Sequence, residues 1–158
     1  MSALSPRRAA GAWLSALVVC AAVVVADQGV KAAVRASLAP HDVTDLPLGF
    51  QLVRVANHGV AFGFLGGGGT LVVVVTIAAL AFVLGWFARD PLRPGLWIAV
   101  GLIAGGAVGN LADRVRYGAV TDFIDPPLWP AFNVADVAIT VGAVALVLIA
   151  LAPDRAPR

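Results

Sequence analysis

Glutamate is absent from the 158 residues, so all nine acidic groups are aspartates. There is one cysteine, which excludes a disulfide framework and a four-cysteine zinc site. Histidine occurs only at positions 41 and 58, and no H-E-x-x-H pair is present, which argues against a zinc hydrolase. Charged residues make up 13% of the chain, against roughly 25% in soluble domains. A net charge of +2 without a basic stripe offers no surface for nucleic acid. These shortages exclude a disordered chain and an ordinary soluble domain. What is abundant is apolar: 60% of the residues are hydrophobic.

The few charges divide the chain into uncharged apolar blocks at 9–26, 71–88, 96–112 and 137–152. Each approaches the roughly 20 helical residues that cross a bilayer core of about 30 Å. The expected fold is an all-α polytopic membrane protein, a single membrane domain with four transmembrane helices and a small extracytoplasmic β-rich cap. The spans are placed at about 11–30, 70–88, 95–113 and 135–152. The cap is expected over about 37–69, where Pro40, Pro47 and Gly49 interrupt the chain and residues 50–55 alternate like a strand. The four glycines at 66–69 read as a joint before the second span. The stretch at about 114–134 reads as an extracytoplasmic loop. In the third span Gly101, Gly105 and Gly109 share one face and allow close helix packing.

Four spans put both termini on one side. That side holds six basic residues against two aspartates, and the other five against seven. The Arg7–Arg8 pair and the short arginine-bearing loop at 89–94 favour cytoplasmic termini. The first block resembles a signal peptide with Ala26 at its end, but Asp27 and Lys31 just beyond it favour a retained anchor.

Chemistry concentrates at the outer ends of the last two spans. Asn110 and Asp113-Arg114 close the third span, Asp122 follows, and Asn133 with Asp136 opens the fourth. Ionisable groups at a membrane are costly and are functional by default. A plain interfacial loop would explain Arg116 and Asp125 but not an Asn three residues before an Asp, twice. Lys31 has no serine at a suitable spacing, since Ser37 lies six residues on. Aspartates remain. Two carboxylates sharing one site do not both ionise easily, so one keeps a proton while the other acts as base.

At these residues the sequence resembles signal peptidase II, the lipoprotein signal peptidase family of bacteria. The blocks that carry the resemblance are Asp27-Gln-Gly-Val-Lys31, Asn57-His-Gly-Val-Ala-Phe-Gly63, Gly105 to Arg114 with Val120-Thr-Asp122-Phe123, and Phe132-Asn133-Val-Ala-Asp136. The resemblance implies an aspartic endopeptidase with no metal or cofactor. It would cut diacylglyceryl-modified prolipoproteins just before the lipidated cysteine. Asp122 and Asp136 would be the catalytic pair. Asp113 is the rival to Asp122, set aside because the adjacent Arg114 suggests a structural ion pair. Asn57, Asn110, Arg114 and Asn133 would bind substrate or orient the pair. Asp27 and Lys31 would support the site or form no more than a helix-end ion pair, and His58 would be a solvated cap residue. A bacterial inner-membrane protein is implied, monomeric, with cytoplasmic termini and an extracytoplasmic site. Its partners would be the prolipoprotein, membrane lipids and macrocyclic peptide inhibitors of the globomycin type. Two alternatives stand beside it: a small proton- or cation-coupled transporter, and a structural membrane subunit. The connection from Asp122 to Asp136 is shorter than is usual in the family and rich in proline.

Overall fold

A computed structural model describes residues 6–40, 42–59 and 68–152. Among the described residues there are four helices: α1 (Pro6–Ser37), α2 (Gly68–Arg89), α3 (Leu96–Tyr117) and α4 (Val134–Leu151). Each is long and apolar enough to cross a membrane. At 1.5 Å per residue even the 18 residues of α4 reach about 27 Å. Gly68 and Gly69 lie in α2, while the rest of the glycine joint, His41, the 60–63 end of the second sequence block and the tail from 153 lie outside the described residues.

Burial is inverted relative to a soluble protein. Leu14, Leu17, Phe82, Val147 and Leu148 are exposed along the helices, as lipid contact requires. Among the largest fully buried side chains are Lys31, Asn133, Asp27, Asp113 and Asp122. The apolar core is a small cluster of Ala16, Val83, Phe87, Leu96 and Val100, with Trp13 set edge-on to Phe87 at 4.6 Å.

The helix α3 is central because its glycines admit a neighbour on two sides. Gly101 and Gly105 face the backbone and valines of α1, as the four-residue spacing suggests. Gly106 does the same for α4: a Cβ there would overlap the Ala135 carbonyl oxygen. Gly142 of α4 lies against Ile103 and the Ala99 carbonyl in return. At the far end Arg93 donates to the carbonyls of Ile149 at 2.7 Å and Ala152 at 3.2 Å, serving acceptors that the end of α4 leaves unpaired.

Three strands, β1 (Val43–Asp45), β2 (Gln51–Asn57) and β3 (Val120–Asp125), form one antiparallel sheet in that order. It sits at the end of the bundle where α1 and α3 finish and α4 begins. The third strand departs from the expected loop. Gly118 stops α3 in the left-handed region (φ 74°) and donates its N–H to the Arg114 carbonyl. Val120, Thr121, Phe123 and Ile124 then favour extended backbone, and Val120, Thr121 and Ile124 pair with β2. The proline-rich link turns back at once: Phe132 exchanges backbone hydrogen bonds with Ile124, which delivers Asn133 to the start of α4. The short connection thus suffices.

Candidate active site

Asp122 sits on β3, opposite Val55 of β2, and is 2% exposed. Asn57, two residues along β2 on the same face, donates from Nδ2 to Asp122 Oδ2 at 2.8 Å. Asn133 donates from Nδ2 to Asp122 Oδ1 at 2.6 Å. Asn133 is also the N-cap of α4. Its Oδ1 accepts from the Asp136 N–H at 3.0 Å, and its own N–H donates to Asp136 Oδ2 at 3.1 Å. This is a reciprocal capping box with Asp in the third helical position. One fully buried asparagine therefore holds both carboxylates, which brings the two sequence-predicted acids to the same residue.

The second oxygen of Asp136 accepts from Asn110 Nδ2 at 2.9 Å. Asn110 Oδ1 faces the Lys31 ammonium at 2.8 Å. The cation dictates which end of the amide is which: the carbonyl oxygen turns to Lys31, so the NH₂ is left for Asp136.

Lys31 also holds Asp27 at 2.9 Å and Asp113 at 3.5 Å, all three fully buried. The Asp27–Lys31 pair is not a helix-end pair, because α1 continues to Ser37 through an alanine-rich stretch without a breaker. The two carboxylates it joins have matching tasks. Asp27 Oδ1 accepts the N–H of Ala135 at 3.0 Å, and Asp113 Oδ2 accepts the N–H of Thr121 at 2.9 Å. Each thus grips the amide immediately ahead of Asp136 or Asp122. The expected Asp113–Arg114 ion pair does not form. Asp113 instead pairs with Lys31 and with Arg35 at 3.5 Å. Successive residues on a helix point about 100° apart, so i,i+1 side chains do not meet.

Arg114 Nη1 lies 3.4 Å from the Asn110 carbonyl, while its charge acts on both Asp136 and Asp122. With His58, Thr70 and Gly118 it lines a groove of about 300 Å³. His58 itself is exposed. On the other side a groove of about 280 Å³ runs from Asp136 past Trp129, Phe132, Val137 and Val141 and is mainly apolar. Burial holds the Asp122 carboxyl above its ordinary value; the amide donors of Asn57 and Asn133 pull it down, and the neighbouring Asp136 pushes it up.

Sequence reasoning missed Gln28. Its Nε2 lies 3.1 Å from Asp27 Oδ2, the Gly109 carbonyl and Asp113 Oδ1, so it ties α1 to α3. A polar amide in an apolar helix, between Asp27 and Lys31, was the available signal. Arg35 was missed as well, since nothing local marks its reach to Asp113.

Four helices around a buried acid–amide cluster define a multi-pass membrane protein with a polar site at one end of its bundle. A profile of signal peptidase (SPase) II matches residues 19–152. A lipoprotein signal peptidase of Pelotomaculum thermopropionicum is 45% identical over 128 residues, covering 80% of this chain and 84% of that protein. One from Nitratidesulfovibrio vulgaris is 44% identical over 133 residues, covering 78% and 81%. A solved bacterial membrane enzyme superposes with a TM-score of 0.78 at 30% identity, over 86% of this chain and 92% of the other. The chain belongs to the signal peptidase II family.

Proposed function

We propose that this protein is an aspartic endopeptidase that removes signal peptides from diacylglyceryl-modified prolipoproteins, cutting just before the lipidated cysteine. Family membership supports the substrate class. The observation that carries the chemistry is Asn133 holding Asp122 and Asp136 together. Asp122, whose carboxyl is held above its ordinary value, keeps the proton and acts as acid. Asp136 acts as base. It sits at the positive end of α4 and accepts from Asn110 and from the Asn133 N–H.

Water placed between them gives a proton to Asp136 as its oxygen bonds to the scissile carbonyl carbon. Asp122 donates its proton to the carbonyl oxygen. The resulting neutral diol collapses: the C–N bond breaks, the amine takes the proton from Asp136, and one diol hydroxyl returns a proton to Asp122. No covalent enzyme intermediate forms. The apolar groove beside Asp136 suits the lipid tails, and holding them there orients one peptide bond against the acids. A macrocyclic peptide inhibitor would compete for the same space. Arg114 and Asn57 line the peptide's path. The arginine distribution supports cytoplasmic termini with the sheet end outside, and in this reading the enzyme acts as a monomer. The transporter alternative finds no support in the family match.

The test is incubation of the purified protein with a diacylglyceryl-modified precursor, read by mass spectrometry for the released signal segment. Asp122→Asn and Asp136→Asn should each lower kcat by about 10⁴-fold while the protein still inserts. Wild-type cleavage by either variant would remove that residue from the reaction.

A further inference from the structure

A second cavity, mainly apolar but with two arginines in its wall, lies across the sheet from the carboxylates. Successive residues of a strand point to opposite faces. Asp122, Asn57 and Val55 share one face of the β2–β3 pair, so Thr121 and its partner Ala56 take the other. Arg35, Arg54 and Tyr117 line a cavity of about 180 Å³ there, its wall completed by Ala56 and Thr121 with Val55 and Val120 at its edge.

Its two guanidinium groups are fixed in place. Arg35 stacks over the Tyr117 ring at 4.5 Å, and its Nη1 donates to Thr121 Oγ1 at 3.0 Å. Arg54 Nη1 donates to the carbonyls of Leu38 at 2.8 Å and Arg35 at 3.2 Å. All of these bonds use Nη1, and a guanidinium presents five N–H donors. Lys31 and Arg35 are paired with Asp27 and Asp113, whereas Arg54 makes no ion pair among the described residues, so its charge is the surplus at the cavity. Asp42, past Pro40 on the rim, is exposed and turns Oδ2 to the Ala39 N–H at 2.7 Å. Two oriented forks with a surplus positive charge match a phosphate oxyanion. The position supplies one. The cavity opens at the end of α3, where Tyr117 is 55% exposed in the manner of an interfacial aromatic, and phospholipid phosphates lie at that level.

We infer that this cavity binds the phosphate of an anionic phospholipid headgroup, at a site separate from the proposed catalytic centre.

The test is native mass spectrometry of the full-length protein released from micelles after incubation with phosphatidylglycerol, phosphatidylcholine or inorganic phosphate. Wild type should retain phosphatidylglycerol about tenfold over phosphatidylcholine, whose choline cation neutralises the same phosphate and is repelled by the surplus positive charge. Arg54→Gln should lose that preference. Ala56→Asp should also lose it, by placing a carboxylate that neutralises the cavity without truncating either arginine, so it decides the matter if Arg54→Gln fails to fold. Both variants should still cleave prolipoprotein. Equal retention of the two lipids, or a preference unchanged in folded Ala56→Asp, would overturn the site. Inorganic phosphate binding as tightly as phosphatidylglycerol, and displacing it, would overturn the lipid as its source.

Discussion

Asp122 gains its proton affinity from burial and from Asp136, against two amide donors that favour the charged form. Removing one donor should therefore move it in a known direction. In Asn57→Ala the carboxyl rises further. If Asp122 is the acid, the alkaline limb of the kcat/KM profile shifts to higher pH while kcat falls; a limb that stays put or moves down contradicts the assignment. The same shift bears on stability. The folded protein holds this proton more tightly than the unfolded chain does. The contribution is complete below the ordinary carboxylate range and is lost as pH rises through the raised value. The sequence offered Asp113 as a rival to Asp122 and showed none of the contacts that occupy it. Asp113 is occupied with Lys31, Arg35, Gln28 and the Thr121 N–H, and three of these come from α1.

Glycine placement decides how the elements meet. Gly106 lets α4 approach until Ala135 presents its N–H to Asp27, which in turn positions Asp136. Gly106→Ala should force α3 and α4 apart, costing about 1–3 kcal/mol by overpacking and lowering kcat. Gly85 of α2 is the control, since a Cβ there meets nothing within 4 Å. Gly85→Ala should leave activity intact and stabilise slightly by helix propensity. Thermal unfolding in micelles and the cleavage assay read both, and equal behaviour of the two variants would refute the packing account. The spacing of Gly101 and Gly105 was readable because both face α1. The role of Gly106 was not, since one glycine outside the repeat carries no periodic signal.

On the scale of the whole molecule, Lys31 links α1, α3 and, through Asp27 and Asn110, the start of α4. Replacing it with methionine would leave Asp27 and Asp113 buried beside an apolar side chain. Removing one partner from a buried ionic group costs about 3–5 kcal/mol. Lys31→Met should lower the unfolding temperature markedly and abolish cleavage. An unchanged unfolding temperature would mean that the network contributes little. The membrane makes such a centre workable: with apolar surface turned outward to lipid, specificity inside the bundle rests on hydrogen bonds and close backbone contact.

The chain's composition determined the four helices, because apolar runs broken by rare charges leave a bilayer few other solutions. Its short polar blocks marked Asp122, Asp136 and the asparagines around them. Only the tertiary structure decided that β3 is a strand, because its partner β2 lies far away in the chain and sheet pairing is non-local. Tertiary packing also chose the ion-pair partners: Asp113 turns from its neighbour Arg114 to Lys31 and Arg35 of another helix, since side-chain direction on a helix follows rotation about its axis and not order along the chain.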